Sequence, residues 1–108
     1  MRNAIIDEGH TVTPVDDILE WAAKTEYIKT QHGDWWIVKQ EDVGDTWVST
    51  VFLFLNHRFG PGSPLWFETT TRDRDGEWGE ECERYATWDE AEAGHKIVCE
   101  HARGRQDD

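Results

Sequence analysis

A chain of 108 residues can bury one hydrophobic core and is too short for two, so a single domain is expected. Its 23 Asp and Glu against 11 Lys and Arg give a net charge of −12, which repels phosphate backbones, disfavours direct nucleic-acid binding and favours a partner with a basic surface. No apolar run approaches the roughly 20 residues that span a bilayer, and Met1 to Asp7 contains no signal-type apolar stretch, so no membrane contact is expected.

The first apolar stretch, Ala4-Ile5-Ile6, reads as an edge strand followed by a turn through Asp7 to His10. Thr13-Pro14-Val15-Asp16 reads as a helix start, with a hydroxyl cap, proline at the first helical position and carboxylates at the positive end of the dipole. Val15, Ile18, Leu19 and Ala22 then share one face, which predicts a helix over 14–25 packing that face on a sheet. Trp35-Trp36-Ile37-Val38-Lys39 begins a strand that ends in a turn at 42–45. The densest β-branched and aromatic run of the chain follows, a strand over 46–56. Both faces of its second half are apolar, the pattern of a central strand covered on both sides, so the uncovered face calls for the N-terminal segment, a second copy of the chain or a partner.

Gly60-Pro61-Gly62-Ser63-Pro64 turns the chain into a strand over 65–70. With prolines removing donors and no Lys following, it is not a phosphate loop. A charged loop over 72–81 leads to a fourth strand at 82–86. Thr87-Trp88-Asp89-Glu90 then matches a capping box, and Trp88, Ala91, His95, Val98, Cys99 and Ala102 repeat at three and four, predicting a helix over 88–102 with one buried stripe. Gly94 in mid-helix suggests a close approach to the sheet. The predicted fold is α+β, an antiparallel sheet of about four strands with two helices on one face, with 1–102 as one domain and 103–108 as a flexible polar tail.

Two groups of residues are candidates for function. Residues 73–92 hold nine acidic residues and only Arg74 and Arg84 as bases, so seven of the twelve net charges fall in one fifth of the chain. Asp73, Asp75, Glu77, Glu80 and Glu81, with Trp78 among them as an anchor, form a candidate surface for a basic groove. A solvated loop and helix face explains the same charges. His57, Glu68 and His95 form the second group, a candidate acid–base set if the helix and the hairpin bring them together. His57, His95 and Cys99 are the side chains there able to ligate a metal. Buried structural histidines account for these residues equally well, and no cofactor or metal is assigned. Cys82 and Cys99 form neither a Cys-x-x-Cys pair nor a disulfide framework and read as reduced. Trp35, Trp36 and Trp78 are candidate contact residues, and Trp21, Trp47, Trp66 and Trp88 candidate core.

Val48-Ser49-Thr50-Val51-Phe52-Leu53, Asn56-His57, Leu65 with Phe67-Glu68-Thr69, and Arg84-Tyr85-Ala86-Thr87-Trp88-Asp89-Glu90-Ala91 with Ala93-Gly94-His95 together resemble a group of small uncharacterised proteins from tailed bacteriophages and prophages. Phe54 stands where that group commonly has glycine, and Asn56 where an aspartate precedes the histidine, which weakens any Asp–His role here. The resemblance implies a phage protein acting in the cytoplasm of an infected bacterial host. With the charge, it suggests a non-enzymatic protein that binds and modulates or inhibits a host protein, including a nucleic-acid-handling or defence component in an anti-CRISPR-like role. The competing expectations are an enzyme using His57, Glu68 and His95, and a homo-oligomeric phage structural or assembly factor.

Overall fold

The computed structural model describes residues 3–58, 60–73, 76 and 78–106, with backbone alone for 78–81, 105 and 106. In chain order the elements are β1 (Ala4–Ile6), β2 (Val12–Pro14), α1 (Ile18–Gln31), a single turn α2 (Gly33–Trp36), β3 (Ile37–Val43), β4 (Thr46–Phe52), β5 (Phe67–Arg72), β6 (Trp78–Tyr85) and α3 (Trp88–Gln106). The fold is α+β. Four antiparallel strands run in the order β3-β4-β5-β6, and β1 and β2 form a separate antiparallel pair.

Alternation along β4 sets the architecture. Val48, Thr50 and Phe52 point to one side, where they sit opposite Thr71, Thr69 and Phe67 of β5, and all six are buried. α3 covers this side with Ala91, His95, Val98, Cys99 and Ala102, the stripe expected from its three-and-four spacing. Thr87 caps the helix as expected, its hydroxyl accepting the Glu90 N–H at 3.1 Å. Gly94 has the anticipated reason: a Cβ there would overlap the ring of Tyr85. The helix continues to Gln106, so 103–106 belong to it and not to a tail.

Burial is deepest where the sheet meets the N-terminal segment. Phe52, Phe54, Phe67, Ala4 and Ile6 are at most 1% exposed, and each large apolar side chain contributes about 1.5–3 kcal/mol by leaving water. Phe52 is the hub, in edge-to-face contact with Phe54 and Phe67 at 4.7 and 5.4 Å between centroids. β1 is stitched to the end of β4 by the Ala4 N–H on the Phe54 carbonyl, and the Trp21 indole N–H of α1 spans the carbonyls of Ala4 and Phe54 at 3.0 and 3.1 Å.

Several elements differ from the sequence reading, each for a local reason. Thr13 and Pro14 pair with Ile5 and Ala4 in the β1–β2 ladder. The first helix is therefore capped four residues later by Asp17, whose carboxylate accepts the N–H groups of Leu19 and Glu20, both at 3.0 Å. That shift turns the helix, so Trp21, Thr25 and Ile28 face inward while Ile18 and Leu19 stand in solvent. The reading places two helices on one sheet face. α3 takes that position, and α1 packs chiefly on β1 and α2 while adding Ile28 to the same core. β4 ends at Phe52, because Phe54 adopts a left-handed φ of 63°. Leu53 and Leu55 therefore leave the sheet, and its second face carries Trp47, Ser49 and Val51 beneath Gln40, which hydrogen-bonds Ser49, and Arg72, which lies over Trp47. The doubly apolar strand whose open face called for the N-terminal segment, a second copy or a partner does not arise, and the N-terminal segment meets the chain just beyond it, with the Ala4 N–H on the Phe54 carbonyl and Asn3 bridged to Leu55. Trp78 to Glu81 lie in the edge strand β6 and not in a loop.

Candidate functional site

His57, Glu68 and His95 do not converge. Glu68 and Thr69 are adjacent on β5 and point to opposite faces. Glu68 therefore lies on the face away from α3, in an ion pair with Arg84 at 2.8 Å and within 3.5 Å of the Cys82 thiol. His57 sits in the connection after β4, where its N–H donates to the Leu65 carbonyl. The Asn56 side chain beside it accepts the N–H groups of Arg58 and Leu65, so this stretch serves loop closure. Neither Glu68 nor His57 lines the cleft into which His95 opens.

His95 meets a different set. Lys39, Glu41 and Val43 are the residues of β3 that face α3, and Glu41 reaches the His95 Nε2 at 2.7 Å. On the other side of the ring, Nδ1 lies 2.6 Å from the Thr50 hydroxyl, which lies 2.5 Å from that of Thr69. Thr50, Thr69 and His95 are all at most 2% exposed, and Glu41 is the one end of this chain that reaches solvent. With the ring neutral and its proton on Nε2, the donors run Thr69 to Thr50 to Nδ1, and Nε2–H donates to Glu41. With Nδ1 protonated, Nδ1–H donates to the Thr50 hydroxyl, which donates in turn to that of Thr69. The two hydroxyls therefore serve Nδ1 as either acceptor or donor, and the 2.7 Å contact on the other side places one proton between Nε2 and Glu41.

Cys99 lies one turn beyond His95, and Glu41, His95 and Cys99 each direct a ligand-type atom to one point, all within 4.8 Å of one another. They line a cleft of about 270 Å³ rimmed by Lys39, Lys96 and Arg103 and by Glu92 and Glu100. The hydrogen bond from His95, helped by the Lys39 ammonium, holds the Glu41 carboxyl below its ordinary value. Burial first, then the neighbouring Glu41 carboxylate, pushes the Cys99 thiol up. A carboxylate held low in the fold stabilises it above the unfolded value, and that contribution disappears as pH falls through the folded value. Urea midpoints measured at pH 7 and at steps below pH 4.5 are therefore expected to fall less steeply for Glu41→Gln than for the parent. Identical slopes would show that Glu41 gains nothing from His95.

Of the acidic candidates, Asp75 and Glu77 lie outside the described residues, Trp78, Glu80 and Glu81 are described by their β6 backbone alone, and Asp73 is exposed after β5. Glu83, Asp89, Glu90 and Glu92 of the same interval are described and exposed, and a separate exposed apolar line lies on α1. Leu19, Ala23 and Tyr27 recur at every fourth residue along its outward side, with Leu19 80% and Tyr27 55% exposed and Ile18 beside them at 63%. Asp16, Asp17, Glu20 and Glu26 surround this line and are all exposed. Tyr27 is oriented by a 3.0 Å hydrogen bond between its hydroxyl and the His32 ring, which stacks on Trp35 at 3.8 Å.

Sequence reasoning missed Glu41, Thr50 and Thr69. The signal available for them is the period-two pattern of β3 and β4, which puts Glu41 and Thr50 on the side that the helix stripe must cover. No described helix is long and apolar enough to cross a membrane. The chain matches no family model, no curated protein and no solved structure.

Proposed function

We propose that this is a small acidic protein of phage type that binds a basic surface of a host protein and so modulates or inhibits it. A nucleic-acid-handling or defence component, in the anti-CRISPR-like sense, is the target class. The observation that carries the reading is the outward line of Leu19, Ala23 and Tyr27 on α1, with the exposed carboxylates Asp16 and Asp17 just before its start. Scattered exposed apolar residues are ordinary on a protein surface. Anchors at i, i+4 and i+8 on one helix face are the arrangement with which a helix fills a groove. Asp16, Asp17 and Glu26 beside the anchors suit a groove edged by Lys or Arg, while Glu20 is paired with Lys24 at 2.8 Å, and the net charge of −12 draws such a partner in from a distance.

The test is capture from host lysate at low and at high salt with two baits, the parent and the Leu19→Ser/Tyr27→Ser double variant. Both positions are exposed, so the variant is expected to melt with the parent. A basic partner held by the parent, weakened by salt and absent from the variant supports the reading. The same proteins on both baits contradict it. A third bait with charges reversed at Glu77, Glu80 and Glu81 separates α1 from the acidic segment around β6, since loss of the partner there alone would move the interface to that strand.

A further inference from the structure

We propose that Glu41, His95 and Cys99 form a binding site for a Zn²⁺-class divalent ion, with a fourth coordination position opening into the cleft between β3 and α3. The donor set is one carboxylate, one imidazole and one thiol, which suits borderline ions such as Zn²⁺ and Co²⁺ and not the all-oxygen shells of Ca²⁺ or Mg²⁺. His95 and Cys99 are at i and i+4 on one helix, so they reach one point without backbone change, and the facing strand supplies Glu41.

The distances leave modest adjustments. In a tetrahedral shell with bonds of about 2.0–2.3 Å, ligand atoms stand about 3.3–3.8 Å apart. Here Nε2 and the Glu41 carboxylate are 2.7 Å apart and must open, while the widest pair, within 4.8 Å, must close. Glu41 is on an edge strand and partly exposed, so its side chain can open from Nε2 by rotation, and small χ changes of the Cys99 and His95 side chains suffice for the rest.

The surroundings favour that role for His95. A metal on Nε2 requires the proton on Nδ1, and Nδ1–H then donates to Thr50, whose hydroxyl donates to Thr69. That is the support from behind that fixes the ring of a metal-bound histidine. The ion displaces the Sγ proton, which leaves to solvent; a neutral imidazole carries its single proton on Nδ1 when the metal takes Nε2 and releases none, and a doubly protonated ring releases its Nε2 proton to solvent. Lys39, Lys96 and Arg103 around the opening would place an anion or a polarised water at the fourth position.

The test uses the full chain, stripped with a chelator and titrated with Co²⁺ and then with Zn²⁺ under reducing conditions. Expected are one equivalent of Co²⁺ bound, a sulfur-to-cobalt charge-transfer band in the near ultraviolet, visible bands of tetrahedral intensity, and displacement by Zn²⁺. Cys99→Ser should abolish the sulfur band, Glu41→Gln should weaken Co²⁺ binding at least tenfold, and Cys82→Ser should change neither, because Cys82 lies on the other face of the sheet. Thr50→Val, a positioning change behind the ring, should weaken binding by roughly 10–100-fold. No sulfur band in the parent, or a band that survives Cys99→Ser, would overturn the proposal. So would unchanged affinity in Glu41→Gln, a partly exposed position whose substitution leaves the core intact.

Discussion

Phe54→Ala is expected to lower folding stability by about 3–5 kcal/mol, and Phe54→Gly to be the more stable of the two variants by about 1 kcal/mol. The first effect follows from burial. The ring is 1% exposed, packs edge-on against Phe52 and lies under the Lys29 ammonium at 5.2 Å, so its loss leaves a cavity at the junction of sheet, α1 and β1. The second reverses the usual order of alanine and glycine, and it follows from the backbone. At φ 63° a side chain crowds the following carbonyl, whereas glycine takes this conformation without strain. Phe54 keeps the strained conformation because the chain must turn there to bring the Ala4 N–H and the Trp21 indole onto its carbonyl. Urea unfolding of the two variants is the measurement, and an alanine variant as stable as the glycine variant would contradict the left-handed turn.

Gly94→Val is expected to cost about 1–3 kcal/mol or more. Helix propensity favours almost any residue over glycine in mid-helix, so the sign is set by packing alone. A Cβ at position 94 would overlap the Tyr85 ring, which holds β6 against α3. The cost should therefore depend on that ring. In Tyr85→Ala the added Val side chain meets open space, and the double variant should be more stable than the sum of the two single changes by more than about 0.5 kcal/mol. Strict additivity in urea unfolding would mean that Gly94 is needed for something other than its approach to Tyr85.

How far the sequence reveals this molecule depends on whether the determining contacts are local. The α3 boundary, its buried stripe and the reason for Gly94 are legible because capping and three-and-four spacing are properties of one segment. The first helix is misplaced because Thr13-Pro14 imitates a cap, while the competing contact, the β1–β2 ladder, comes from Ile5 and Ala4, eight and ten positions earlier. The same shift decides the surface. A stripe of Ile18, Leu19 and Ala22 read as core becomes an exposed face once Asp17 is the cap. At the candidate site, His95 and Cys99 are visible as a helical pair, but their partner is not. Glu68 looks suitable by distance along the chain, and strand alternation sends it to the wrong face, while Glu41 arrives through the β3–β4 register. A register is set by the whole sheet, so the third member of the set cannot be chosen from spacing.

The outward face of α1 is proposed as a docking surface for a basic partner. The direct measurement is the dissociation constant of the captured partner for the parent and for Leu19→Ser/Tyr27→Ser, taken over a range of salt with the melting temperatures of both proteins matched. Anchor residues of this kind carry about 2 kcal/mol or more, so the account requires at least about 30-fold weaker binding by the variant, with salt weakening the parent further. Equal affinities, or an affinity indifferent to salt, would contradict it.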